Sequence, residues 1–420
     1  LLASHIPSMK LSYIVIRSSI AFAPSLLAKE THHHLSYHQP LYLVAFIERK
    51  SKKQSPPPIR PPSKATTVAA FTTNEMPTET LDLSKIEKFA HKRGDALFGY
   101  IEQSHVESYS STRSGGDDAV ACFGDFLDAG TGSHSLRWMA SIIHRDRLLA
   151  DVAARNAHAT AATKAPRVSM KSFTAITADE SMRRRTSEEA RELGVLDRGD
   201  VVIGNWREGV RADEKTGGIE FVTSEKSNGT KQALLQGKVF DTILADYLVG
   251  AIDGFSPYFQ DQIFHRLAPH LAPGGRMYVI GLQPIPDGAA GDVNVFCKIT
   301  KIRDACILLA NHRCYREYPL DWIERHVKRA GLTVVESKKY PIRYDHATML
   351  RQINVGRSKL KLFPSEGMAK EMGKILDGLE KESLEVTQRQ PDGRITLGFD
   401  YVVVAEKPKD SLVSRFRNAL

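Results

Sequence analysis

The sequence predicts an α/β fold, a mostly parallel sheet with helices on both faces. Two features carry that expectation. At Phe123–Ile143 an apolar run, a pair of glycines and a helical pattern follow one another directly. Between Asp200 and Gly281 short apolar runs then alternate with helical patterns, which is the signature of strands laid parallel and covered by their crossover helices.

From the N-terminal side, Leu83–Ile101 reads as a helix, with Ile86, Phe89, Ala90, Leu97, Tyr100 and Ile101 on one side. It is expected to cap the glycine loop, ahead of a polar loop at Ser110–Asp118. Phe126 and Leu127 then read as the end of a buried strand. Gly130 and Gly132 allow a tight turn and a close approach of backbone to ligand. Leu136, Met139, Ile142 and Ile143 form one face of the helix that follows. Such a strand–turn–helix unit holds nucleotide-like cofactors, although a glycine turn without a ligand has the same outline. A dinucleotide loop usually carries a third glycine where Ser135 stands. Asp128, directly before the glycines, would repel a diphosphate and suits an ammonium.

Ala150–Ala165 is rich in Ala and Thr with little periodicity and reads as an insertion. Ser172–Ala178 is a second strand ending at Asp179 and Glu180, where a carboxylate can accept from both ribose hydroxyls. The usual gap after the glycines is about 20 residues, whereas Gly132 to Asp179 is 47. The competing reading of Asp179 is an N-cap for a helix over Met182–Leu193. Asp200–Gly204 is a third strand, ending at Asn205 and Trp206. A polar insertion follows at Arg207–Lys238, with Gly217-Gly218 and Asn228-Gly229 turns. Phe240–Ala245 is the fourth strand, ending at Asp246 and Tyr247. A helix through Phe259, Ile263, Phe264, Leu267 and Leu271 stops at Pro273-Gly274-Gly275, and Arg276–Gly281 is the fifth strand.

Taken in order, these segments resemble the class I S-adenosylmethionine-dependent methyltransferases. Leu127–Gly132 resembles that family's motif I. Phe240–Leu244 with Leu271–Met277 resembles motifs IV to VI. Tyr318–Ile323 to Ala330–Val335 resembles the last helix and sixth strand, and Phe399–Lys407 the closing antiparallel strand. The resemblance covers roughly residues 120–410, with insertions near 145–170, 207–238 and 344–394. It implies a seven-stranded, mostly parallel sheet and S-adenosyl-L-methionine as cofactor. Asp128 and the Gly130/Gly132 backbone would hold the methionine end, and Asp179 or Glu180 the ribose. Asn205 stands where the family often has an acid facing the adenine amino group; Trp206 would stack on the ring or belong to the core.

Methyl transfer is an in-line displacement that needs alignment, exclusion of water and sometimes a proton acceptor. Asp246 and Asp253, with Tyr247 alongside, are the candidates in one loop. His346 is a further candidate, opposed by a plain hydrogen-bonded loop histidine. The chain lacks the Asn/Asp-Pro-Pro-aromatic signature of amino-group methyltransferases and the paired glutamates of arginine methyltransferases. No carboxylate and histidine set is spaced for a catalytic metal. Between the last two strands, Ser365 opens a helix whose Met368, Met372, Ile375, Leu376 and Leu379 form an amphipathic stripe. The stripe reads as a lid over the substrate side or as packing at the domain edge. Arg343, Arg351, Arg357, Lys359 and Lys361 lead into it and suggest an acidic small-molecule substrate.

Composition is ordinary for a globular chain of 420 residues, 42% hydrophobic and 25% charged. The net charge of +9 is mostly a property of the tail. Residues 1–75 hold nine Lys/Arg against three acids, and eight of the 20 prolines. They read as a disordered arm or targeting presequence; residues 76–119 read as the helical cap and 411–420 as a tail. Ile20–Pro24 resembles the cleavage motif of presequences in algae with secondary plastids; the alternative is a start at Met76. No segment is apolar enough for a membrane span. A core charge of only +3, without a basic stripe interleaved with aromatics, disfavours nucleic acid. Cys122, Cys297, Cys306 and Cys314 include no CxxC pair and read as reduced thiols. Two further functions fit the same architecture: a nicotinamide-dependent oxidoreductase, opposed by Asp128 and Ser135, and a non-catalytic scaffold.

Overall fold

Alternation along the strands decides how the sheet is buried. In the run Phe126-Leu127, again in Ile243-Leu244, Tyr278-Val279 and Val402-Val403, successive side chains enter two different apolar clusters on opposite faces, and all are essentially inaccessible. A sheet apolar on both faces must be covered on both, which parallel strands with crossover helices provide. In the computed structural model, residues 95–112, 120–155, 168–208, 210–212, 219–221 and 234–409 are described. The tail to residue 75 with its plastid-like motif, the first twelve residues of the expected Leu83–Ile101 helix, most of the loop at 110–118, most of the Ala-rich stretch, the two turns of the 207–238 insertion and the segment 411–420 lie outside them.

The described elements of the main fold are α1 (Ala96–Thr112), β1 (Asp125–Asp128), α2 (Ser133–Arg155), β2 (Ser172–Thr177), α3 (Glu180–Glu192), β3 (Gly199–Ile203), β4 (Phe240–Asp246), α4 (Leu248–Phe255), α5 (Ile263–Leu267), β5 (Leu271–Leu282), α6 (Asn294–Leu309), α7 (Leu320–Arg329), β6 (Thr333–Asp345), α8 (His346–Lys359), α9 (Glu366–Arg389) and β7 (Arg394–Glu406). The sheet runs in the order β6-β7-β5-β4-β1-β2-β3. β3, β2, β1, β4 and β5 are mutually parallel, and β7 is antiparallel to both its neighbours. The order reverses between β1 and β4, the switch point outside which α/β sheets bind ligands. α1 and α2 cover one face through Phe98, Ile101, Leu136, Met139, Ile142 and Ile143. α4, α5 and α7 cover the other through Ile252, Ile263, Phe264, Leu267, Ile323 and Val327. No helix among the described residues is long and apolar enough to cross a membrane.

Several elements differ from the sequence reading. The first helix runs on to Thr112, through part of the expected polar loop. α2 continues to Arg155, into the Ala-rich stretch. The 207–238 insertion carries a small antiparallel hairpin, Val210–Ala212 with Ile219–Phe221. Pro273-Gly274-Gly275 lies inside β5, not before it: the register skips from Phe240↔Leu271 to Thr242↔Arg276. Gly274 there has φ +78°, and a Cβ on Gly275 would lie 2.7 Å from the Asp241 carbonyl oxygen, so glycine is required at both. α6 was not expected at all. It packs in one cluster with α8 and α9, where Val295, Phe296, Ile299, Met349, Ile353, Leu376 and Leu379 are buried. The α9 stripe is thus taken up by α6 and α8, the edge-packing alternative, while Met368 and Ile375 stay exposed. Of the basic residues before it, Arg343 lies near the end of β6 and Arg351, Arg357 and Lys359 are on α8, and these are engaged: Arg343 with Asp392, Arg357 with Asp377 and Glu380, Arg351 with Thr348, Lys359 with His312.

Candidate active site at the carboxyl ends of the central strands

The loop after β1 is pinned from both neighbouring strands. Ala129 N donates to Leu244 O at 2.9 Å and Thr131 N to Ile176 O at 2.8 Å. Gly132 O already accepts from Leu136 N, so the first turn of α2 begins at the loop and its unpaired amides face outward. Ser135, buried, exchanges hydrogen bonds with the Gly132 backbone. It fills the helix–strand contact that a third glycine would otherwise open. The two glycines differ in role. A Cβ on Gly130 would lie 2.8 Å from Leu248 Cδ1, whereas one on Gly132 would meet nothing within 4 Å. Gly130 is needed for packing; Gly132 borders open space. Neither has a positive φ, so the tight turn does not depend on left-handed backbone.

Strand alternation sends Asp128 of β1, Asp246 of β4 and Asp400 of β7 to the same face as Phe126, Leu244 and Val402, the face covered by α1 and α2. They form a row along the carboxyl edge of the sheet. Asp128 is fully buried; Gly130 N donates to its Oδ1 at 3.4 Å, and Oδ2 has no partner among the described residues. Asp246 is 3% exposed, and its Oδ1 likewise has none. Burial pushes Asp128 up to about 6, against hydrogen bonds from Ser135, Gly130 and Thr131. Burial pushes Asp246 up to about 7; His134 opposes this, and the charges of Asp128, Asp95 and Asp400 add to it. An inaccessible carboxylate with an open lone pair is costly, and two of them stand at the switch point of this sheet.

His134, second residue of α2, joins this row to α1. Its Nε2 is 2.9 Å from Asp95 Oδ2 and its Nδ1 is 4.0 Å from Asp246 Oδ2. Burial alone would lower its pKa, but the Asp95 hydrogen bond and the charges of Asp246 and Asp95 outweigh that and raise it. Asp95 also caps α1, accepting from Leu97 N and Phe98 N. Phe98 stacks on Trp138 at 4.6 Å, so α1 is docked on the first turns of α2. Tyr247 leaves β4 with φ 47°, an uncommon backbone for a non-glycine residue, and its hydroxyl favours the charged form of Asp400 against burial. Burial and the acids around it hold the Tyr247 hydroxyl well above its usual pKa. Gly250 of α4 faces the Glu317 carboxyl, which a Cβ would approach to 2.8 Å. His134, Asp400, Glu317 and Asp95 all escaped the sequence reading.

The remaining sequence candidates are placed as follows. Asp179 is the N-cap of α3, accepting from Met182 N at 2.8 Å, and is exposed at the end of β2. Glu180 is exposed and paired with Arg183. Asn205 accepts from Ser256 Oγ and Arg207 N and donates to Phe255 O. Trp206 is a core residue: Nε1 donates to Ala129 O at 2.7 Å, and Arg266 lies over its ring. Asp253 is not in a loop but on α4, and its carboxylate is held by Gln260 and Arg313. It is not brought to the acid row. His346 opens α8 and bonds Ser383, a structural contact. An open cleft of ≈ 480 Å³ lined by Asp125, Arg198, Asp200 and Lys238 lies at the opposite, amino-terminal edge of the sheet, away from this chemistry. All four cysteines are free, and only Cys122 is exposed.

Five parallel strands and a sixth joined through an antiparallel seventh, with β1 and β4 at the reversal and an acid closing each, are what the sequence resemblance implied. The fold is that of the class I methyltransferases. Solved structures similar to this methyltransferase fold include a Galdieria sulphuraria protein assigned as a sarcosine dimethylglycine methyltransferase (12% identity, TM-score 0.33, covering 74% of this chain and 86% of that one). Two others are YcgJ from Bacillus subtilis (12%, 0.36, 75% and 99%) and YjhP from E. coli (13%, 0.34, 78% and 98%). No family model and no curated protein matches the chain. The methyltransferase fold rests here on strand order and connectivity.

Asp179 supports one local prediction. Asp179→Ala removes the cap and is expected to cost about 1 kcal/mol, a melting point lower by a few degrees. Asp179→Ser keeps the cap. If the carboxylate also binds a ribose, both variants lose affinity for S-adenosylmethionine in calorimetry; equal affinity in the serine variant and the native protein would limit Asp179 to the helix.

Proposed function

We propose that the protein is an S-adenosyl-L-methionine-dependent methyltransferase acting on a small molecule. The observation that carries this is the pair of buried carboxylates, Asp128 and Asp246, each with a free oxygen, beside the open space at Gly132. The residues suit the cofactor's methionine end: Asp128 Oδ2 can accept from its ammonium, and the Gly132 backbone leaves room for it. When bound, S-adenosylmethionine supplies a methyl group on a sulfonium. Asp179 would accept from the ribose with the oxygen its cap does not use. The Asn205 amide is already engaged, so adenine recognition falls to other groups of the β3 edge.

In this reading the α1–α2 face of the sheet excludes water, with His134 and Asp95 closing the loop side. Asp246, at the end of β4 and close to half-protonated at neutral pH, takes a proton or orients the acceptor. Asp128 and the sheet-edge acids disfavour a pyrophosphate, which weighs against the nicotinamide alternative. Calorimetric titration with S-adenosylmethionine, and separately with reduced nicotinamide cofactors, tests the proposal. Folded protein that fails to bind S-adenosylmethionine below ~1 mM, a standard free energy of about −4 kcal/mol, would overturn it.

A further inference from the structure

We propose that His134, gripped by Asp95, is a positioning residue for Asp246: its imidazolium keeps the Asp246 carboxylate charged and so ready to take the proton that the methyl acceptor loses. The inference rests on the methyltransferase reading and deepens it.

The argument starts from where His134 stands. It is the second residue of α2, a helix with no acid in its first turn. The positive end of a helix favours anions, and partial burial adds a second penalty on a cation. A protonated imidazole at this position therefore needs acids from outside the helix, and two are supplied. Asp95, immediately before α1, places Oδ2 2.9 Å from Nε2, and Asp246, closing β4, places Oδ2 4.0 Å from Nδ1. The two ring nitrogens thus face different carboxylates. Imidazolium, with an N–H on each nitrogen, serves both, whereas neutral imidazole has a single N–H. The two acids outweigh burial and the opposing charge of Arg137 on α2, and His134 is held above its ordinary pKa.

Asp95 is suited to fix the ring. Its Oδ1 accepts from the amides of Leu97 and Phe98 at the start of α1, while Oδ2 meets the histidine. The Phe98 ring lies 4.8 Å from the imidazole. The contact with Asp246 is of another kind. A separation of 4.0 Å is too long for a hydrogen bond, so His134 shares no proton with Asp246 and acts on it through charge. The coupling runs both ways, since each group favours the charged form of the other.

Asp246 needs that charge. Burial and the acids facing it, Asp128 on β1, Asp95 before α1 and Asp400 on β7, all favour its neutral form, and the His134 charge opposes them. A carboxyl left to the acids alone would hold a proton at neutral pH and could accept none. Oδ2 is turned to the histidine, while Oδ1, buried, has no partner among the described residues. The oxygen open to a ligand is therefore the one that His134 does not face. One proton moves in the proposed step. It passes from the acceptor to Asp246 Oδ1, the bonding pair stays on the acceptor atom, and the carboxylate becomes a neutral acid that later returns the proton to solvent. His134 and Asp95 exchange none.

The test follows both groups by NMR in the full chain, isotopically labelled at the aspartate carboxyl and histidine ring carbons and titrated between about pH 4 and 10. The Asp246 and His134 signals are those missing from Asp246→Asn and His134→Gln. His134→Gln keeps an N–H for Asp95 but carries no charge. It should raise the Asp246 midpoint, about 7 in the native protein, by about 1 pH unit or more, the effect of a lost opposite charge at this range. Asp246→Asn should lower the His134 midpoint by the same amount, because an interaction between two sites is reciprocal. Asp95→Asn keeps the cap on Oδ1 and should lower the His134 midpoint as well. A histidine that only packs would move none of these. A folded His134→Gln variant whose Asp246 midpoint is unchanged or lower would overturn the inference. So would a folded Asp246→Asn variant whose His134 midpoint stays where it was, which keeps the question decidable if one variant folds poorly. Native protein that binds no S-adenosylmethionine in calorimetry would overturn the methyltransferase reading instead, and leaves the titration results standing.

Discussion

Gly132→Val is expected to abolish S-adenosylmethionine binding while leaving the protein folded. Gly132 follows β1 and precedes α2, and a Cβ there meets no atom of the protein within 4 Å. Its backbone angle is one that other residues adopt. The Ser135 hydroxyl, which bonds the Gly132 backbone, is untouched. The cost to folding is that of a branched apolar residue beside a helix start, about 1 kcal/mol or a few degrees of melting temperature. The two added methyl groups enter the space through which a ligand reaches the loop amides. Affinity should fall at least ~100-fold, about 2.7 kcal/mol. Gly130→Val is a poorer probe, because its Cβ would lie 2.8 Å from Leu248 Cδ1 and packing would fail with binding. Calorimetry and a melting curve on Gly132→Val decide the matter: native affinity would remove the glycine loop from the site.

The second large effect is expected at Asp246. Asparagine keeps the shape and one acceptor but cannot take a proton. If Asp246 is the proton acceptor, turnover should fall by roughly 10²–10⁴-fold with cofactor affinity nearly unchanged. Stability should move the other way. The carboxyl is raised from 3.8 to about 7, with burial the largest cause. Between those values the folded protein keeps a proton that the unfolded chain has released, so native stability falls as pH rises through that window and stays low above it. The asparagine variant lacks this loss. Without ligand it should melt a few degrees above the native protein near pH 8 and level with it near pH 4, a difference of roughly 1–3 kcal/mol at the higher pH. Lower melting at both pH values would give Asp246 a structural role, and native turnover would remove it from the chemistry.

Much of the fold was legible in order along the chain because each central strand is a short apolar run closed by a polar residue. Phe126-Leu127, Ile243-Leu244 and Met277–Ile280 are buried on both faces, and an uninterrupted apolar run between turns is visible locally. Asp128, Gly130, Gly132 and Asp246 were found for the same reason, since strand ends can be read one at a time. α4 and α6 were not. Six consecutive residues of α4, Leu248–Asp253, are buried. The buried residues of α6, which include Val295, Phe296, Cys297, Ile299, Thr300 and Cys306, occupy more than one side of the helix. A helix covered over most of its circumference keeps only a narrow polar side, and its period fades. Asp253, read as a loop acid, is for that reason a helical residue held by Arg313 and Gln260.

By itself, then, the sequence determined the α/β class, the chain order of the strands, the glycine loop and the acids that close β1 and β4, because these depend on neighbours in the chain. Only the tertiary structure decided that Asp128, Asp246 and Asp400 share one face of one edge, that His134 stands between Asp95 and Asp246, and that Glu317 lies against Gly250 of α4. It also decided that Trp206 and Asp179 have structural partners. These relations join residues far apart in sequence, and the Coulomb and desolvation energies that give them meaning depend on distance and burial, which no local pattern encodes.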